Sequence, residues 1–182
     1  MFGHLVNDVL VGFRINLAGS HVEYGFKPDI MCFGKANANG HPIAALTGVE
    51  ALKHAAGDAF YTGTQFFNAG PMAACLATLQ ELVAIDGALM ITEIGTKLRD
   101  GLIDVAQSHG YDLRITGAAG MRYFRIDSEE GFDLHARWIS ERFKRGAYKL
   151  NYHNNFVSTA HTETDLKETC DIADQAFAAM RP

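Results

Sequence analysis

Three stretches concentrate the side chains that could do chemistry: NDVLVGFR at 7–14, KPDIMCFGKANANGHPIAALTG at 27–48 and YTGTQFFNAGPMAAC at 61–75. The first offers an amide and a carboxylate, Asn7 and Asp8. The second offers a primary amine, Lys35, directly after Gly34 at the end of the apolar run Ile30–Phe33. The third offers two hydroxyls, Thr62 and Thr64, on either side of Gly63. By residue type alone each has a plain reading: Gly-Lys closes a tight turn and leaves a solvated lysine, Asn-Asp ends a strand, and Thr-Gly-Thr makes a hydroxyl-stabilised turn. A lysine at a strand end can also serve as a nucleophilic amine, and spacing alone leaves both possibilities open. His41, His153 and His161 lack metal-ligand spacing and read as packing or surface residues, so no metal is expected.

Composition narrows the field. A chain of 182 residues with 48% hydrophobic and 20% charged residues can bury a good-sized core. The formal charge of -5 and the scattered lysines and arginines argue against a nucleic-acid groove. Cys32, Cys75 and Cys170 are widely spaced with no CxxC pair, which suggests neither a disulfide framework nor a zinc knuckle and favours a reducing, cytoplasmic setting. The longest apolar stretch, Pro71 to Ile91, carries Gln80, Glu81 and Asp86, which are costly at bilayer depth, so a core helix pair is expected there and no membrane span. The opening MFGHLVNDVL lacks the pattern of a signal peptide and begins abruptly on a buried-strand text, a hint that more chain belongs upstream.

The elements that would position these residues follow from periodicity. His4–Val11, Ile30–Phe33 and Ile43–Thr47 read as short strands, the first suited to the interior of a parallel sheet. Glu50–Ala56 can form a short helix, and a loop over 57–70 leads to a helix with Pro71 in its first turn. Met72, Cys75, Leu76, Leu79 and Val83 share one face of it; Ile91, Ile94, Leu98 and Val105 mark the next helix, with Gly87 between. LRITGAAGMRYFRID after Gly110 is strand-like. Phe132, Ala136, Ile139 and Phe143 then predict the buried stripe of a helix that Gly146 stops. Tyr148–Leu150 and Phe156–Thr159 read as strands. The last helix has Thr162 as N-cap with Asp165 three residues on, and Leu166, Cys170, Ala173, Phe177 and Met180 at helical spacing.

Together the three chemistry-bearing stretches resemble the signature of the class III aminotransferases. In that family an Asp-Glu-Val strand end runs on to Gly-Phe-Arg, then Pro-Asp, then Gly-Lys before a Gly-Pro turn, and later Gly-Thr before a helix. The text FVSTAHTETDLKETCDIADQAFAAM resembles the end of glutamate-1-semialdehyde aminomutase and its relatives. The resemblance covers nearly the whole chain. It implies an α/β fold, the C-terminal part of a fold-type I pyridoxal-phosphate (PLP) transferase: residues 1–105 as the remainder of the large parallel-sheet domain and 106–182 as the small α+β C-terminal domain. The family's large domain begins far upstream, and its glycine-rich phosphate loop comes from that part.

By the same resemblance PLP is held as an imine on Lys35, which is both anchor and acid/base. Val9 packs on the pyridine ring, and Thr64 reaches the phosphate of the partner subunit's cofactor, which implies a homodimer. Asn39 and Gly40 shape the turn after the lysine. Asn7 stands where the pattern has the aspartate that pairs with the pyridine nitrogen, so it offers a hydrogen bond without the charge. The implied activity is transfer or relocation of an amino group on an amino acid or amino ketone. The alternative is a truncated, non-catalytic member that keeps its dimerisation surfaces.

Overall fold

The computed structural model describes residues 3–128 and 130–180, which form two compact units dividing between Leu89 and Met90. In the N-terminal unit the first elements are β1 (Leu5–Asn7), α1 (Ser20–Tyr24), β2 (Ile30–Phe33) and β3 (Ala45–Gly48). β2 is central. β1 runs parallel to it, pairing Asn7 with Cys32, and β3 runs antiparallel, pairing Phe33 with Ala45. These strands therefore form a mixed sheet rather than a purely parallel one. The strand expected over 4–11 stops at Asn7, because Asn7 Oδ1 accepts from Val9 N at 3.1 Å and Gly12 N donates to the Asp8 carbonyl at 2.9 Å, folding the chain back on itself. The third strand is set two residues later than expected at its start and ends at Gly48, one beyond Thr47.

A 3-10 turn at Glu50–Leu52 leads into α2 (Lys53–Asp58), and an irregular segment then reaches α3 (Ala69–Ala84). Asn68 caps α3 by accepting from Gly70 N at 3.2 Å, and Pro71 is buried in its first turn, where a missing N–H costs nothing. Asp86, with φ 51°, breaks the path before α4 (Gly87–Ser108). Both the observed division and the expected boundary after residue 105 fall within α4. Of the face predicted for α3, Met72, Leu76 and Val83 are exposed among the described residues. No single described helix is long and apolar enough to cross a membrane.

The C-terminal unit is a β4 (Leu113–Thr116), β5 (Met121–Ile126) hairpin extended by the two-residue β6 (Asn155–Phe156), together with α5 (Asp133–Lys144) and α6 (Glu163–Met180). The hairpin turns at Gly117, whose φ of 92° and a would-be Cβ 2.7 Å from the Met121 carbonyl leave room only for glycine. Leu102, Ile126, Trp138 and Phe177 form a closed core, with the Trp138 and Tyr111 rings stacked 5.0 and 4.9 Å from Phe177. This stacking sets the rotation of α5. Its fully buried residues are His135, Trp138 and Arg142; of the expected stripe, Ile139 packs against this core, Phe132 and Ala136 are half-buried and Phe143 is exposed. Tyr148–Leu150 is not a strand, and the strand expected over 156–159 shrinks to β6. The α6 start is a reciprocal cap: Asp165 N donates to Thr162 Oγ1 at 3.3 Å, while Thr162 N donates to Asp165 Oδ2 at 2.7 Å.

Candidate active site

The parallel pairing of β1 with β2 brings two chain ends side by side. Asp8 N donates to the Cys32 carbonyl at 2.9 Å, so the residues just beyond each strand lie next to each other. A Cβ on Gly34 would lie 3.2 Å from Val9 Cγ1, which places Val9 directly against the residue before Lys35. Lys35 opens a 3-10 turn, Lys35–Ala38, with φ 51°, a left-handed backbone that a non-glycine residue adopts only at a cost. Asn39 closes that turn at φ 47° and Gly40 follows at φ 98°. The side chain of Lys35 is exposed, and among the described residues no hydrogen bond or ion pair engages its amine. α3 packs on the same turn.

Asn7 and Asp8 have opposite surroundings, as successive residues at a strand end must. Asn7 is exposed, with Oδ1 holding Val9 N. Asp8 is 1% exposed and accepts from both the backbone N and the Oγ of Ser20 at the start of α1. That carboxylate is consumed by structure: it ties α1 to the end of β1. Gly12 completes the corner, since a Cβ there would meet the Asp8 carbonyl at 2.7 Å and the Phe33 ring at 2.9 Å. The Phe13 ring then packs, tilted by 39°, with its centroid 5.1 Å from that of Phe33. Arg14 donates Nε to the Leu10 carbonyl at 3.1 Å, and partial burial lowers its pKa.

Asn7, Val9 and Lys35 are thus assembled on one corner. Thr64 is in an exposed turn closed by Phe66 N to the Gly63 carbonyl at 2.9 Å, and no hydrogen bond joins it to the other three among the described residues. Two participants escape the sequence. Ser20 carries no motif, and its role depends on a fold that returns it to Asp8. Asn37, 1% exposed, has a buried Oδ1 with no donor, within the turn that Lys35 opens. The proximity of asparagine to the Gly-Lys pair was the only available signal for it.

The corner suits a carbonyl cofactor held through an amine. It has an accessible lysine, a branched apolar side chain packed beside it and a polar amide on the adjoining strand end. Among the described residues no group of three or more histidines, cysteines or carboxylates could hold a metal ion.

Comparison with known proteins matches residues 17–180 to the family model described as aminotransferase class-III. The aminopentol aminotransferase of Sphingopyxis macrogoltabida is 39% identical over 176 residues, covering 97% of this chain and 42% of that protein. The solved PLP internal aldimine form of the Sphingopyxis sp. MTA144 FumI protein superposes with a TM-score of 0.92 at 39% identity, over 96% of this chain and 42% of that one. An omega-transaminase from Sphaerobacter thermophilus shares the fold, with a TM-score of 0.87 at 19% identity and 45% of its length covered. The chain therefore spans about 42% of the length of the relatives it matches at 39% identity.

Proposed function

The chain belongs to the class-III aminotransferase family, and on that footing we propose that it holds PLP covalently through Lys35 and moves an amino group between an amine donor and a carbonyl acceptor. The observation that carries this reading is the corner itself: a lysine with an uncommitted amine, at the end of β2, beside Val9 and Asn7. When bound, PLP supplies an electron sink that acidifies the substrate C–H beside the nitrogen. Lys35 would hold the group, and its Nζ, when not bonded to it, would be the base that takes that proton and the acid that returns it. Val9, fixed against Gly34, presents a flat apolar surface for an aromatic ring. Asn7 Oδ1 is occupied by Val9 N, leaving Nδ2 as a neutral donor for a ring nitrogen.

Transfer between molecules is favoured over relocation within one, because the relative at 39% identity carries the name aminotransferase. That relative's name makes an aminopentol-type amine the first donor to try, beside amino acids and amino ketones. Thr64, in its exposed turn, is assigned to the phosphate of a second copy's cofactor, which makes the functional form a homodimer. A cytoplasmic location fits this reading. Residues 1–105 are assigned to the large domain and 106–182 to the small one.

The 182-residue chain reconstituted with PLP is expected to show a visible absorbance band that an amine donor bleaches, and that Lys35→Ala abolishes. Asn7→Asp is expected to speed the bleaching, because a carboxylate beside the ring nitrogen favours its protonated form and a neutral amide does not. A second reading, a non-catalytic member of the family, rests on Asn7. Cofactor binding at Lys35 with no amine-dependent change in either the native or the Asn7→Asp chain would favour it.

A further inference from the structure

The C-terminal unit contains a cavity of about 200 Å³ whose lining includes three cationic side chains, Arg122, Arg142 and Lys149, and no carboxylate. Arg142 is 2% exposed, and its Nε and Nη1 find no acceptor. Its guanidinium lies 4.7 Å from the centroid of the Trp138 ring; the Lys149 ammonium lies over Phe124 and 5.4 Å from the same Trp138 centroid. Arg122 gives Nε to the Ala119 carbonyl at 3.0 Å. A buried cation such as Arg142 whose donors lack acceptors is costly, and the half-buried Lys149 beside the same ring repels it. Their titration reflects this: burial lowers Arg142 to about 10, and burial together with the Arg142 charge pushes Lys149 well below its ordinary value.

The nearby carboxylates give Arg142 Nε and Nη1 no acceptor, although the Asp100 charge acts favourably on Arg122. Asp165 and Glu168 line a separate hollow that shares His161 and Thr169 with the cavity, and Asp165 is engaged in capping α6. Asp100 is paired with Arg99. The rest of the cavity wall is largely apolar, with Leu98, Leu102 and Phe156 among its residues. Its volume lies below the roughly 300–1,000 Å³ of sites for drug-sized ligands, so a small molecule fits.

We propose that this cavity binds a small organic carboxylate, its anionic end between Arg142 and Lys149 and its hydrocarbon body against Leu98, Leu102 and Phe156. The carboxylate supplies the acceptors that Arg142 lacks, and the apolar wall selects against a bare inorganic anion. This proposal does not depend on the role of Lys35.

Trp138 is the only tryptophan in the chain, so its fluorescence reports directly on the site. The 182-residue chain is titrated with hexanoate, 1-hexanol and inorganic phosphate. A saturable fluorescence change is expected with hexanoate, with the other two weaker by about tenfold or more, in keeping with the loss of one charge-assisted hydrogen bond or of the apolar contact. Lys149→Gln, at a half-buried position, is expected to weaken hexanoate about tenfold while far-ultraviolet circular dichroism stays unchanged. Arg142→Gln is expected to weaken it at least as much; should that variant unfold, Lys149→Gln decides. The proposal is overturned if hexanoate gives no saturable change, if phosphate or hexanol binds as tightly, or if Lys149→Gln leaves the hexanoate affinity unaltered.

Discussion

In the C-terminal unit Leu102, Ile126, Trp138 and Phe177 are wholly enclosed, whereas in the N-terminal unit every residue of β3 is exposed and Leu5 and Leu46 retain 66% and 64% of their surface. The contrast is one of self-sufficiency. The C-terminal unit is held by a core of its own. The unit that carries Lys35 is held at its corner by local fits: Asp8 on Ser20, Gly12 under Phe33, Gly34 against Val9. Leu5 and Leu46 of its sheet and the Met72, Leu76, Val83 face of α3 stay open, although Met31 and Phe33 of β2 are buried, and exposed apolar surface of this kind marks a place where further protein packs. That agrees with a chain spanning about 42% of the length of its relatives. The chemistry-bearing elements thus sit in the unit with the more open apolar surface.

The sharpest way to break this contrast is to cut one large side chain from each unit. Phe177→Ala is expected to destabilise the C-terminal unit by about 3–5 kcal/mol, through lost burial and the cavity left between Trp138 and Tyr111. Leu46→Ala, on an exposed strand, is expected to change stability by about 0.5 kcal/mol or less. Urea unfolding followed by circular dichroism gives both values, and comparable losses at the two positions would show that the units are equally packed.

A smaller effect is expected at the corner. Gly12→Ala forces a methyl to within 2.7 Å of the Asp8 carbonyl and 2.9 Å of the Phe33 ring, an overpacking of about 1–3 kcal/mol. Gly34→Ala meets Val9 at 3.2 Å, where the side chain can yield, and should cost less. Amide hydrogen exchange should show lost protection confined to residues before Leu89; protection lost equally in the hairpin of β4 and β5 would argue against the two-unit division.

A further modest effect concerns the α6 cap. Thr162→Ala removes one half of the reciprocal cap and is expected to cost about 1 kcal/mol. Hydrogen bonds from Thr162 hold the Asp165 carboxyl below the ordinary carboxylate range. A depressed folded-state pKa contributes stability above the unfolded value that disappears as the pH falls through the folded one. The stability gap between native and Thr162→Ala chains should therefore narrow in acid, as read by thermal melts on either side of the carboxylate range. A gap that stays constant down the acid limb would separate Asp165 from the cap.

Legibility in sequence differs between the regions for physical reasons. The Thr162–Asp165 cap, the position of Pro71 in α3 and the strand Ile30–Phe33 follow from local rules, and the structure has them where those rules place them. The rotation of α5 does not follow from local pattern, because it is decided by Trp138 meeting Phe177 from a helix far along the chain. The early end of β1 at Asn7 was hidden for the opposite reason: a side-chain bond to Val9 N competes with the strand ladder over a few residues. The corner was legible as ordered motifs, whereas the commitment of Asp8 to Ser20 and the orphaned Asn37 Oδ1 exist only once the chain is folded.

The central claim is that one lysine, in the less self-sufficient unit, is the attachment point for PLP. Borohydride reduction of the PLP-treated chain, followed by peptide mapping, tests it most directly. The account predicts a phosphopyridoxyl label confined to Lys35, the lysine at the β2 end beside Val9. Label spread over Lys27, Lys53 and Lys97 as readily as on Lys35, or absent from Lys35, would contradict it.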